Sequence, residues 1–264
     1  MDLRQTFAFL EPVKALWWHV LGVPFSWALH SLYALFAGVP SLAAIGAYGL
    51  AIISLTLLIR VILAPLYQWQ ALVARRNMEN QRRLSPELAK LRKKYKGDQQ
   101  ALTQATMALY REHGVNPAAG LMGCLPVFIQ LPVLSALYYV FFGTHLPDAH
   151  FLFIGSLNDM PGKHSLLSGL PIPTVAYAII PLLAALSTFV QSRMMQLPPN
   201  PNASEQELQM QQMTQSMQVM MPLVIVIFAV QTPAGLGLYW FVSNCVTIIQ
   251  QYFVNGGRLW PAGS

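Results

Sequence analysis

The chain has 264 residues, of which 55% are hydrophobic and only 10% charged, and its mean hydropathy is +0.45. Soluble domains carry about 25% charged residues to cover their surface, so this composition excludes a soluble globule, a disordered chain and a disulfide-framed secreted domain. Sixteen Lys and Arg oppose ten Asp and Glu, a net charge of +6, and the placement of so few charges sets the orientation in a membrane. The expected fold class is an all-α polytopic membrane protein. Cys124 and Cys245 lie far apart in apolar runs and read as small buried hydrophobes rather than a disulfide. No basic segment followed by a short apolar run and a small-residue cleavage site opens the chain, so no signal peptide is expected.

Residues 1–40 form an N-terminal segment. Within it Val13–Ala37 is apolar enough to span, yet Pro24 interrupts it. His19, Ser26, His30 and Tyr33 recur at offsets that place them on one helical face, which favours a helix lying in the interface, with crossing as the alternative. Residues 41–69 are the first span, built on the apolar run Ser41–Tyr67.

Residues 70–116 hold most of the positive charge. Arg75, Arg76, Arg82, Arg83, Lys90, Arg92, Lys93, Lys94, Lys96 and Arg111 face only Glu79, Glu87, Asp98 and Glu112. The positive-inside rule makes this segment cytoplasmic. Leu84, Leu88, Leu91 and Tyr95, then Leu102, Ala105 and Leu109, recur at helical spacing. Ser85-Pro86 reads as a helix start and Gly97-Asp98 as a break, so a cytoplasmic helical hairpin is expected, with a solvated charged loop as the alternative.

The second span is placed at 117–142, and an external loop at 143–170 carries Lys163 against Asp148 and Asp159. A third span follows at 171–196, then a cytoplasmic loop at 197–209. The fourth span, 210–231, has only twelve strongly apolar residues, Val219–Val230, and spans only if the Gln/Met-rich stretch from about Glu207 continues the same helix. Residues 232–255 form the fifth span, and 256–264 a short cytoplasmic tail containing Arg258.

Arg60 sits among apolar residues of the first span. An arginine at mid-helix costs about 2.5–3.5 kcal/mol on insertion scales. It either snorkels to the headgroups or faces protein and water, and Thr56 and Tyr67, which share its face, favour the second. The fifth span carries a matching stripe of Tyr239, Ser243, Thr247 and Gln250 flanked by Trp240, Asn244 and Gln251. Interhelical hydrogen bonding, interfacial anchoring and a wetted surface all account for it. Gln130 and Gln191 add polar groups to the second and third spans. Met210, Met213, Met217 and Met221 line one face of the fourth helix, as ordinary packing or as a soft surface for varied apolar segments.

Enzyme signatures are absent: no HExxH, nucleophile elbow, phosphate loop or CxxC pair. His145, Asp148, His150, Asp159 and His164 share the external loop, but their spacing matches no standard metal site. No RNA-binding motif accompanies the basic hairpin. Neither a metal nor any other cofactor is expected, nor is binding to DNA.

Three stretches together carry a resemblance. The first runs from Leu84-Ser-Pro-Glu-Leu through Tyr95 and from Leu109-Tyr-Arg-Glu-His to Pro117. The second is Gly123-Cys-Leu-Pro-Val-Phe-Ile-Gln-Leu-Pro132 with Ala136-Leu-Tyr-Tyr139. The third is Pro233-Ala-Gly-Leu-Gly-Leu-Tyr-Trp240 with Ser243-Asn244 and Ile249-Gln-Gln-Tyr252. The chain resembles the YidC-type membrane protein insertases of bacteria, relatives of the mitochondrial and chloroplast insertases, from about Gly49 to Val254.

The resemblance implies five core spans with an external N-terminus, an external interfacial helix, and a cytoplasmic hairpin. It implies a hydrophilic groove open to cytoplasm and lipid and closed outside, with Arg60 as its arginine, Thr56 beside it and Tyr239-Trp240 as its aromatic pair. The groove and client-binding residues expected are Thr56, Arg60, Gln130, Gln191, Tyr239, Trp240, Ser243 and Asn244, with Met213, Met217 and Met221 contacting the client's apolar helix. It further implies a bacterial plasma membrane location with a cytoplasmic C-terminus. The partners implied are newly made membrane proteins and the lipid bilayer, with a Sec-type translocon, the ribosome and signal-recognition factors as candidates. The sequence departs from the pattern in two places: no large extracytoplasmic domain is present, and the tail holds one basic residue where many relatives carry long basic tails that contact ribosomes. An assembly chaperone without translocation activity and a small-solute transporter are the alternative functions.

Overall fold

The structure is a computed structural model that describes residues 15–114, 125–143, 146, 148–166, 172–194 and 205–258. It is an all-α polytopic membrane protein. The described helices are α1 (Ala15–Ala37), α2 (Pro40–Lys94), α3 (Gln99–Glu112), α4 (Leu125–Gly143), α5 (Val175–Met194), α6 (Glu205–Val230) and α7 (Ala234–Val254). The N-terminal part of the expected second span, through Cys124, lies outside the described residues, as do His145 and the segment 195–204.

In α1 the helix widens into a π-turn over Trp18–Gly22 immediately before Pro24. Proline lacks the amide hydrogen that would reach back four residues and its ring crowds that carbonyl; a wider turn absorbs the misfit. The widening shifts the phase of His19 relative to the regular helix that follows, in which Ser26, His30 and Tyr33 keep their spacing on one face. Tyr33 packs on the core while His19 and His30 are exposed among Val20, Val23, Trp27 and Leu35. The helix is long and apolar enough to cross a membrane. Its first turn is pinned to α4, with Trp17 Nε1 donating to the Pro132 carbonyl at 3.2 Å and the Trp17 ring meeting Tyr139 edge-on.

The second helix, kinked once at Gly46, runs from the first apolar span straight into the basic segment. A helix start at Ser85-Pro86 is therefore not observed. Leu84 and Leu88, with Leu91 beside them, pack on Leu109 and Tyr110 of α3, and this burial holds the helical path through Pro86 against its local preference. The turn comes where expected. Gly97 adopts φ +99, and the Asp98 carboxylate caps α3 by accepting from the Ala101 amide at 3.0 Å. In α6 the Gln/Met-rich stretch does continue the short apolar one, giving 26 residues in a single helix of about 39 Å.

One irregularity inside α2 organises the end of the bundle away from the basic hairpin. Gly46 lies at φ +124, a conformation open to glycine. The kink leaves the Ile45 carbonyl accepting from the Leu152 amide at 2.8 Å. The loop between α4 and α5 crosses the helix here, so close that a Cβ on Gly46 would lie 2.4 Å from the His150 carbonyl and one on Gly49 2.0 Å from the Phe151 ring. Further on, the Leu157 and Asp159 carbonyls accept from the Gly235 and Ala234 amides, satisfying the first turn of α7. Ala149, Phe151, Ile154 and Leu157 are thereby buried with Tyr48, Ile52, Leu137, Phe141 and Leu236 in one core.

Gly46→Ala is expected to lower unfolding free energy by about 2–4 kcal/mol, combining backbone strain with overpacking. Tyr48→Phe is expected to be neutral or stabilising, because the buried Tyr48 hydroxyl has no hydrogen-bond partner among the described residues. Unfolding in mixed micelles under increasing sodium dodecyl sulfate measures both.

Candidate functional site

Arg60 leaves α2 toward α7 and is 8% exposed. Its Nε donates to Ser243 Oγ at 2.8 Å, its Nη2 donates to the same oxygen, and its guanidinium carbon lies 4.8 Å from the centre of the Tyr67 ring. No carboxylate among the described residues pairs with it. A planar cation held by one hydroxyl and one ring face keeps donors in reserve.

Beside it runs a second set of bonds. Tyr67 donates to Gln130 Oε1 at 3.1 Å, and Gln130 Nε2 donates to Tyr239 Oη at 2.8 Å. Thus α2, α4 and α7 meet through Arg60, Tyr67, Gln130, Tyr239 and Ser243. The spacing Thr56, Arg60, Tyr67, Gln70 carries the polar face of α2 on toward the hairpin. Gln70 is 5% exposed and its Nε2 has no partner among the described residues.

The remaining expected residues divide. Thr56 is buried and its hydroxyl is returned to the Ile52 carbonyl at 2.6 Å. Asn244 faces the other way, donating to Thr188 Oγ1 at 2.8 Å and Ser187 Oγ at 3.0 Å on α5, so it joins helices and takes no part in the Arg60 network. Trp240 meets Phe228 of α6 edge-on at 5.9 Å, and Gln191 is half-buried near the end of α5. Met221 is exposed beside Val219, Leu223 and Val224 on α6, whereas the side chains of Met213 and Met217 lie outside the described residues. Sequence reasoning missed Gln70, Ser187 and Thr188. The first was detectable as a continuation of the polar face of α2, the other two as a hydroxyl pair in an apolar run.

At the opposite end the loop histidines form separate pairs. His150 Nδ1 meets Asp148 Oδ1 at 2.5 Å, and His164 Nε2 meets Asp159 Oδ2 at 2.9 Å while stacking on Tyr177. No three His, Cys, Asp or Glu among the described residues gather as metal ligands. The hydrogen bond between them holds the Asp148 carboxyl below its ordinary range and raises the His150 imidazole.

These features define a class: a helical membrane protein with a buried arginine that no carboxylate pairs among the described residues. Residues 41–259 match the family described as 60Kd inner membrane protein. The chain is 38% identical over 255 residues to membrane protein insertase YidC 1 of Halalkalibacterium halodurans, covering 93% of this chain and 83% of that one. It is 36% identical over 214 residues to membrane protein insertase MisCA of Bacillus subtilis, covering 79% and 70%. A match to membrane protein insertase YidC of Ralstonia nicotianae, 33% identical, covers 93% of this chain but 38% of that longer protein. The chain belongs to the YidC family of membrane protein insertases.

Two outcomes test the geometry. A double-mutant cycle of Arg60→Met and Ser243→Ala is expected to return a coupling of about 1.5–3 kcal/mol, the range for hydrogen bonds to charged groups. For the Asp148–His150 pair, a lowered carboxyl stabilises above its unfolded pKa and is lost as pH falls through the folded one. A raised imidazole stabilises below its unfolded pKa and is lost as pH rises through its folded one. The destabilisation caused by His150→Ala should therefore be greatest near about pH 5 and shrink above about pH 7 in thermal melts. The pair is exposed, which keeps its contribution below about 1 kcal/mol.

Proposed function

We propose that this chain inserts client transmembrane helices into the bilayer, drawing a short hydrophilic tail of the client across while its apolar segment passes into lipid. The observation that carries this reading is Arg60, a buried cation whose described partners are neutral. An acidic residue in a client tail arriving within about 5 Å would gain roughly 3 kcal/mol at an effective dielectric near 20. Tyr67, Gln130 and the Gln70 amide, which has no partner among the described residues, extend a polar path from Arg60 toward the basic hairpin. That favours a groove entered from the hairpin side, which the positive-inside rule makes cytoplasmic.

The client's helix would leave along the exposed apolar wall of α5 and α6, where Leu182, Leu186, Val219, Met221 and Leu223 project outward. Burial in hydrocarbon at about 25 cal/mol per Å² supplies the drive. On this reading α2, α4, α5, α6 and α7 are the five spans, with α1 at the external interface. The hairpin, at net charge +6 over residues 74–115, is the docking surface for anionic lipid, the ribosome, a Sec-type translocon or a targeting factor.

Reconstitution of the purified protein in liposomes tests this with a single-span client bearing an acidic or a neutral tail. Protease protection of the tail is the readout. Arg60→Ala is expected to reduce insertion of the acidic-tailed client at least tenfold more than that of the neutral one, and Arg60→Lys to retain much of the activity. Equal loss for both tails would mean that the arginine is structural. Correct helix packing without tail protection would mean a chaperone that does not translocate.

A further inference from the structure

The loop that closes over Gly46 ends in a feature unexplained by its packing. Phe151 and Ile154 exchange both backbone hydrogen bonds, at 3.0 and 2.9 Å, forming a two-residue turn over Leu152 and Phe153. Leu152 sits at φ +53, the one positive-φ residue other than glycine among the described residues. Turn positions of this kind are normally filled by Gly, Asn or Asp, because a side chain with Cβ is crowded there. The chain instead places its two large apolar side chains at the tip and leaves them 58% and 57% exposed. The flanking Phe151 and Ile154 are buried, so the turn is rigidly held while its tip points away from the protein.

The height of the tip along the bundle identifies what it meets. The Leu152 amide is bonded to the carbonyl of Ile45, so the turn lies against the side of α2 and not beyond its end. Beyond the kink at Gly46 the apolar part of α2 runs to Val73, about 42 Å of helix against a hydrocarbon core of about 30 Å. Centred in the bilayer, it extends about 6 Å past the hydrocarbon on each side. Ile45, just before the kink, and the turn bonded to it then lie at headgroup level, within a side chain's reach of the acyl chains. Ile45 is itself 40% exposed and adds to the apolar surface at that height.

We infer that Leu152 and Phe153 form a wedge that dips from the headgroup level into the uppermost acyl chains, in the leaflet opposite the basic hairpin. The partner is lipid. The wedge ties to the bilayer the loop that also carries the Leu157 and Asp159 caps of α7, so the closed end of the bundle is held at a fixed depth. This needs only that the chain spans the membrane and is independent of how Arg60 is used.

The test uses the full chain with Cys124 and Cys245 replaced by alanine, purified and reconstituted alone in vesicles of phosphatidylcholine and phosphatidylglycerol. A nitrobenzoxadiazole label is placed on Phe153→Cys, whose negative φ leaves the turn undisturbed, and on Lys163→Cys as the aqueous reference. At 153, quenching by a nitroxide near the top of the acyl chain is expected to exceed that by one near its end, and iodide quenching to be at least threefold weaker than at 163. Iodide quenching equal to that at 163, or stronger quenching from the chain end, would overturn the placement. A photoreactive benzoylphenylalanine at 153 in native membranes supplies a second readout independent of the cysteine background. Adducts to lipid are expected, and adducts to a protein would overturn lipid as the partner.

Discussion

The structure turns on one electrostatic constraint: a buried guanidinium between α2 and α7 whose partners among the described residues are all neutral. Desolvating such a charge is expensive unless hydrogen bonds replace its water. Ser243 and the Tyr67 ring meet part of that demand. Meeting it forces α2 and α7 into one register, because Arg60 reaches Ser243 only if the two helices cross at that height. Tyr67, Gln130 and Tyr239 then extend the fit to α4.

Close helix contact at the other end makes that register possible. Gly235 approaches Ile52 and Gly237 approaches Ile180 so nearly that any Cβ would collide. Within lipid, helices associate through such close packing and through interhelical hydrogen bonds. Asn244, bonded to Ser187 and Thr188, supplies the latter between α7 and α5. The α4–α5 loop completes this end by capping α7 and filling the notch at Gly46 and Gly49. The bundle is therefore apolar and tightly packed at one end, and polar with unspent hydrogen-bonding capacity toward the other.

Much of this is legible in the sequence. Apolar run lengths located the helices, charge located the hairpin, and an arginine in hydrocarbon announced itself. Helical spacing also put Thr56 and Tyr67 on the face of Arg60, and the stripe on α7 contained both Ser243 and Tyr239. What was not legible depended on packing between distant segments. Nothing local says that Pro86 stays helical; the contact of Leu84 and Leu88 with Leu109 decides it. The π-turn before Pro24 moves His19 off the constant helical period that grouped it with Ser26, His30 and Tyr33. Asn244 and Ser243 are neighbours in one stripe, yet they point to different helices, and only the crossing of α5 and α2 around α7 separates glue from site. The notch that receives Phe151 was invisible because two glycines in an apolar helix carry no sign of what will fill them.

On the proposed function, the polar network around Arg60 is reachable from the hairpin side of the membrane and sealed from the other. Single cysteines replacing Gln70, Gln130 and Tyr239, with Leu57→Cys as a lipid-facing control, can be probed with a membrane-impermeant thiol reagent in vesicles of each orientation, in a background lacking Cys124 and Cys245. Thiolates react and thiols do not, so labelling reports water as well as access. Reaction is expected at the three polar positions from the hairpin side alone, with none at Leu57→Cys and reduced labelling at Tyr239→Cys when a client helix is trapped. Silence at all three polar positions from both sides, or labelling from the side of the α4–α5 loop, would contradict it.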